Sequence, residues 1–168
     1  MVSPDAFAAF YDVAFGEVYR YVARALLGNR SAAEDVTQET FAAVVTAVRD
    51  GRPEALTMPW VIGVARHKVV DHFRQAEREQ RRLALAWSTR GADPDAAANE
   101  LDAADPARVA ALLRELTPAH RMVLVLRYLD DLPVDEIASV LGKSVHATES
   151  LLVRARHALA RSNREMVS

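Results

Sequence analysis

Cysteine is absent from the 168-residue chain. Disulfides, thiolate nucleophiles and cysteine-ligated metal centres are therefore excluded, and a reducing compartment fits. Glycine occurs only six times, always isolated, so no glycine-rich phosphate loop exists. The five histidines, at 67, 72, 120, 146 and 157, include no i, i+4 pair of the kind that binds zinc. No apolar run approaches the ~20 residues of a membrane span, so no membrane insertion is expected. The opening MVSPDAFAAFYDV has no basic segment ahead of an apolar one, so a signal peptide is not expected either. The chain is expected to be cytoplasmic. Asp130-Asp131 and Asp135-Glu136 are adjacent carboxylates, but they stand at a helix start, where the dipole favours negative charge. The expectation is no catalytic residue, no metal and no cofactor.

What is present is apolar and unevenly charged. Half the residues are hydrophobic, which argues against wholesale disorder. Net charge is −2, which alone argues against a nucleic-acid binder, but its distribution is informative. Residues 1–51 carry 4 basic and 7 acidic side chains, and residues 52–90 carry 8 and 4. Residues 91–117 carry 2 and 6, and residues 118–168 carry 7 and 6. Two segments that could face phosphates are thus separated by an acidic connector. The acidic first segment could face a basic partner protein.

The periodicity is helical throughout, with no strand pattern. Phe7, Phe10, Tyr11, Ala14, Val18, Tyr21, Val22, Ala25 and Leu26 define a first helix, capped by Ser3 with Pro4 at its first position. Gly28-Asn29 ends it. Ser31 and Glu34 read as a capping box opening a second helix that runs to about Arg49. Its inner side is Val36, Thr40, Ala43, Val44 and Ala47. Its outer side is Asp35, Gln38, Ala42, Val45 and Arg49, where the small apolar residues suggest a contact surface.

After a loop at 50–53, a third helix spans about 58–82, with Met58, Ile62, Ala65, Val69 and Phe73 as its core stripe. Trp60, His67 and Arg74 line the opposite side at seven-residue steps, with Gly63, Asp71 and Arg78 beside them. An aromatic among cations suits stacking on unpaired bases. The same pattern fits Trp60 packing on the first helix with the cations solvated. Residues 83–105 read as a linker with one short helix at 95–103. Helices follow at 106–116 and 118–128, the latter opened by Thr117-Pro118.

LPVDEIASVLGKSVHATESLLVRAR, residues 132–156, is the most specific stretch. Val134, Ile137, Ala138 and Leu141 form a short stripe, Gly142 stops it, and Ser144 caps a second helix. That helix buries Val145, Thr148, Leu152, Ala155 and Leu159. Two helices joined through a glycine turn are the pattern of a helix-turn-helix, whose second helix enters the DNA major groove. A plain αα-hairpin in a bundle has the same pattern. Lys143, Arg154, Arg156, Arg161 and Arg164 cluster where phosphates would lie. His146, Ala147, Ser150, Val153 and Arg154 fall on the side away from the stripe, with Glu149 on the flank. The fold class is all-α: residues 1–82 as one small helical domain, 83–105 as linker, and 106–168 as a second domain built on the helix-turn-helix.

Over nearly its whole length the chain resembles the extracytoplasmic-function sigma factors of bacterial RNA polymerase, a branch of the sigma-70 superfamily. AAEDVTQETFAAVV resembles the segment that docks on the polymerase clamp, which implies core-polymerase contacts at Asp35, Gln38, Glu39, Phe41 and Ala42. PWVIGVARHKVVDHFRQ resembles the helix that meets the minus-ten element, which implies DNA contacts at Arg52, Trp60, Arg66, His67, Lys68, Asp71, Arg74 and Arg78. The resemblance also implies that the 50–57 loop holds a flipped-out base. LTPAHRMVLVLRYLDDLPVDEIASVLGKSVHATESLLVRARHAL resembles the domain that reads the minus-thirty-five element. This implies contacts from Lys143, Ser144, His146, Ala147, Glu149, Ser150, Val153, Arg154 and Arg156. The implied partners are core RNA polymerase, promoter DNA and an anti-sigma protein. The family often has Arg and Trp where this chain has Ala43 and Val45, and Lys and Arg where it has Glu149 and Leu151. A stand-alone helix-turn-helix regulator is the rival reading, but it leaves the 35–41 segment and the Trp60 face without a role.

Overall fold

In the computed structural model, residues 2–86 and 105–168 are described. All their regular structure is helical, with no strand among them. The expected short helix at 95–103 lies outside the described residues. The chain forms two compact units, 1–72 and 73–168, and most of the expected linker lies outside the described residues.

The first unit is built on α1 (Pro4–Ala25), α2 (Arg30–Arg49) and the start of α3 (Met58–Ala86). The Ser3 hydroxyl accepts from the Ala6 N–H, and Pro4 takes the first position, as the sequence indicates. The helix ends at Ala25, three residues before Gly28. Leu27 and Gly28 both adopt positive φ, and the Gly28 N–H reaches back to the Ala23 carbonyl. The cap of α2 differs from expectation. Asn29, not Ser31, accepts from the Ala32 N–H, and Glu34 accepts from Arg30 instead of closing a capping box. Asparagine is as good a cap as serine, and its earlier position starts the helix two residues sooner.

The core of this unit is Ala14, Val18 and Val22 with Ala33, Val36, Val44, Val61, Ala65 and Val69. On α3 the buried stripe is shifted from the expected one. Val61 and Val70 are buried, while Met58 and Ile62 are only half-covered. A 3-10 turn over Pro53–Leu56 tightens the loop before α3, and the left-handed Gly51 ends α2.

The second unit carries α4 (Pro106–Arg114), α5 (Pro118–Leu124), α6 (Val134–Leu141) and α7 (Val145–Val167). Thr117 caps α5 through the His120 N–H, with Pro118 next, as the sequence indicates. The expected α-helix over 118–128 does not continue. From Val125 to Leu129 the backbone is a π turn. Leu112, Val123, Leu126, Ile137, Leu152 and Ala155 form the core, packed mainly where α5 and α6 meet α7.

Candidate nucleic-acid interface

The turn between α6 and α7 follows from three residues. Gly142 takes φ +62, a conformation in which any side chain is strained. The Lys143 N–H bonds the Ala138 carbonyl at 2.9 Å and the Gly142 N–H bonds that of Ser139 at 3.2 Å, the paired bonds of a Schellman end. Ser144 is extended, and its hydroxyl accepts from the Ala147 N–H at 3.1 Å, opening α7. Two helices are thus joined across three residues, with the N-terminus of the second at the surface.

The side chains of α7 divide sharply. Thr148, Leu151, Leu152, Ala155, Ala158 and Leu159 are buried. Two expectations are corrected here. Val145, expected in the core, is 46% exposed, and the buried side of α7 begins only at Thr148. Leu151, left out of the expected core stripe, is 7% exposed and belongs to the core, because α7 packs against both α5 and α6 and so buries a wider arc. Lys143, Ser144, His146, Ala147, Glu149, Val153 and Arg154 are all exposed, and Ser150 and Arg156 are half-buried. His146, Val153 and Arg154 all stand on this exposed side of α7. Arg154 donates through Nε to the Ser150 carbonyl at 3.3 Å, which leaves its two terminal nitrogens for other acceptors. His120 is held below the ordinary imidazole range by burial, then by the nearby Arg154 and Arg161 guanidiniums, against an opposing pull from Glu77. Both effects disfavour the charged imidazole.

On α3 the expected face is only partly open. His67, Asp71 and Arg78 are exposed, and Trp60, Arg66, Lys68 and Arg74 are half-buried, while Arg52 is exposed in the preceding loop. Lys68 faces Glu39 of α2 at 3.9 Å, so two residues expected on different surfaces meet each other. Within the second unit, Arg74 donates to the Leu141 carbonyl at 2.8 Å, and Arg121 lies 6.0 Å over the Phe73 ring. Arg74 thus carries a contact that the seven-residue spacing alone does not reveal.

On α2, Asp35, Gln38, Glu39 and Ala42 are exposed and Val45 is half-covered. Phe41 is the exception. It is 6% exposed, with its ring against Tyr11 at 4.8 Å and Phe15 at 5.8 Å. Its role is to support the face from beneath, not to lie on it. The resemblance of the 32–45 segment, which implied a polymerase contact at Phe41, says nothing of the α1 aromatics that cover its ring.

No group of three or more His, Asp or Glu side chains suited to a metal occurs among the described residues. No described helix is long and apolar enough to cross a membrane.

Comparison with known proteins accounts for both halves of the chain. Residues 14–79 match the family described as Sigma-70 region 2, and residues 107–159 match Sigma-70, region 4. The chain is 32% identical over 158 residues to the ECF RNA polymerase sigma factor SigC of Mycobacterium tuberculosis, spanning 92% of this chain and 81% of the relative. It is 35% identical over 170 residues to the ECF RNA polymerase sigma factor BldN of Streptomyces coelicolor, spanning 94% of this chain and 60% of the relative. Among solved structures, the sigma factor RpoE of Bartonella quintana, crystallised with the anti-sigma factor NepR, superposes with a TM-score of 0.57. That likeness covers 94% of this chain and 96% of the other at 14% identity, and it speaks for the fold. With both sigma-70 regions matched in order and relatives aligned along most of its length, the chain belongs to the extracytoplasmic-function sigma factors of bacterial RNA polymerase.

Proposed function

We propose that this sigma factor directs polymerase to promoters with a division of labour among three faces. The outer side of α2, with Asp35, Gln38, Glu39 and Ala42, docks on core RNA polymerase. The Trp60 and His67 side of α3 captures bases of the minus-ten element as the duplex opens. The open face of α7 reads the minus-thirty-five element in the major groove. The reaction chemistry belongs to the polymerase, and the sigma factor adds no catalytic group or cofactor of its own. Its partners place it in the cytoplasm, and an anti-sigma protein is the natural means of holding it in reserve. The observation that carries this reading is the α6–α7 turn: Gly142 in a left-handed conformation and Ser144 capping a helix whose outer face is open.

The contacts on α7 should be unequal. Arg154 is the one exposed arginine in the central part of the face, and a bidentate guanine contact discriminates by ~1–3 kcal/mol. Lys143, before the first turn, suits a phosphate, which positions without specifying. Arg154→Ala is expected to flatten base preference in the upstream element. Lys143→Ala should weaken binding to all sequences alike and reduce the salt slope by about one. Binding of both variants to single-base promoter variants at two salt concentrations checks this. Uniform loss with intact preference in Arg154→Ala would remove that side chain from base reading.

The α3 face has its own signature. Base stacking is worth ~1–3 kcal/mol, so Trp60→Ala should cut open-complex formation on a linear template by about tenfold. His67→Ala should act in the same direction. Both losses should shrink on a template with a pre-melted bubble, measured by permanganate reactivity of the opened strand. Equal losses on the two templates would show that this side does not serve strand opening.

A further inference from the structure

The π turn after α5 brings a side chain that the faces above do not use, Tyr128, against Arg156, one of the expected minus-thirty-five contacts. The turn is closed by a bond from the Asp130 N–H to the Val125 carbonyl, 3.1 Å long and five residues back. Widening one turn of a helix rotates the side chains that follow, and such turns recur at functional positions. Here the turn carries Tyr128, an aromatic residue left 61% exposed. Its hydroxyl accepts the Arg156 Nε–H at 2.9 Å, and the Arg156 guanidinium carbon lies 5.9 Å from the ring centroid. One phenol therefore holds one guanidinium by a hydrogen bond and a cation–π contact together.

The pairing leaves a particular donor set. Arg156 spends Nε on the phenol, so its two terminal nitrogens keep their N–H donors. Tyr128 accepts through oxygen and keeps its own O–H as a donor. These neighbouring donors carry a full positive charge, and phosphate oxygens are the acceptors they suit best. Arg156 lies three residues beyond the exposed Val153 on α7, at the flank of the open face. Both members of the pair reach solvent, so the tie contributes little as a stabilising contact. Its value lies in holding an otherwise mobile arginine in one place before a ligand arrives.

We propose that Tyr128 and Arg156 form a preassembled clamp for one phosphodiester of duplex DNA, with Tyr128 as the positioning residue for the guanidinium. The proposal rests on the reading of α7 as the duplex-facing helix. Because a phosphate contact carries no sequence information, it is testable without knowledge of the promoter.

The test uses the full chain and a short random-sequence DNA duplex, with affinity followed by fluorescence anisotropy across a salt series. Arg156→Ala is expected to bind roughly tenfold more weakly, with the salt slope lower by about one. Tyr128→Phe keeps the ring and loses the hydroxyl, and it should weaken binding about threefold with the charge, and so most of the slope, retained. The double variant should be no weaker than Arg156→Ala alone. Thermal melts of each variant separate lost binding from lost folding, and the salt slope is a readout that a merely structural tie would not move. An unchanged slope in Arg156→Ala, or two losses that multiply independently, would overturn the clamp. No measurable duplex binding by the unaltered chain at low salt would overturn it as well. Failure of the underlying reading shows elsewhere, as absence of promoter-specific transcription with core polymerase.

Discussion

Asp35→Arg combined with Gln38→Ala is expected to remove the protein from pull-downs of core RNA polymerase. The two side chains are exposed one turn apart on the outer side of α2, beside Ala42. The helix beneath them is anchored by Val36, Thr40, Val44 and Ala47, none of which the substitutions touch. Folding should therefore be unaltered, since exposed helical changes of this kind cost within ~0.5 kcal/mol. Reversing a charge that meets a complementary partner is different, because loss and repulsion act together, at ~2–5 kcal/mol for a well-buried pair. An affinity loss of at least about thirtyfold follows from the lower figure. Co-purification with core polymerase, beside a far-ultraviolet circular dichroism spectrum, is the check. Normal helicity with undiminished co-purification would exclude this face as the docking surface.

Leu152→Ala is expected to have the largest effect on stability. Leu152 is 2% exposed in the middle of α7, in the same core as Leu126 and Ile137. Truncating a leucine in such a place costs ~2–5 kcal/mol, through lost transfer energy and the cavity left behind. Small domains have a total stability of only ~5–15 kcal/mol, and this one has a thin core. The variant should lose the cooperative melting of the second unit and its duplex binding. The α2 face, built on a different core, should still bring down core polymerase. Calorimetry with the pull-down tests both halves of this statement, and loss of polymerase binding would show that the two units depend on one another more than their separate cores suggest.

Much of this architecture is legible in the sequence where one residue type has one physical use. Gly142 followed by Ser144 marks a left-handed end and a new cap, and both take those conformations. Thr117-Pro118 and Ser3-Pro4 are equally specific and equally realised. Legibility falls where several residues serve the same purpose. Asn29 and Ser31 are both good caps, and only the run of the chain after Leu27 decides between them. Val61 and Ile62 are adjacent apolar residues, and a helical stripe does not say which one points inward until the partner helix is in place. Leu151 shows the same limit from the other side, since a stripe drawn for one neighbour is too narrow for a helix with two. The π turn over Val125–Leu129 leaves no periodic trace, so the position of Tyr128 against Arg156 is invisible in the sequence. Arg74, expected on a DNA-facing side from helical spacing, and Phe41, an expected polymerase contact from the family resemblance, have tertiary contacts that neither signal shows.

The central claim is that the chain gives core RNA polymerase a choice of promoter. Transcription of a fragmented genomic library by core polymerase, with and without the protein, followed by sequencing of transcript 5′ ends, tests it most directly. The expected result is a set of start sites that depend on the protein and share two upstream elements at the minus-ten and minus-thirty-five positions. In the same assay Arg154→Ala should blur the upstream element alone. Transcripts identical to those of core polymerase by itself, or protein-dependent starts that share no sequence, would contradict the account.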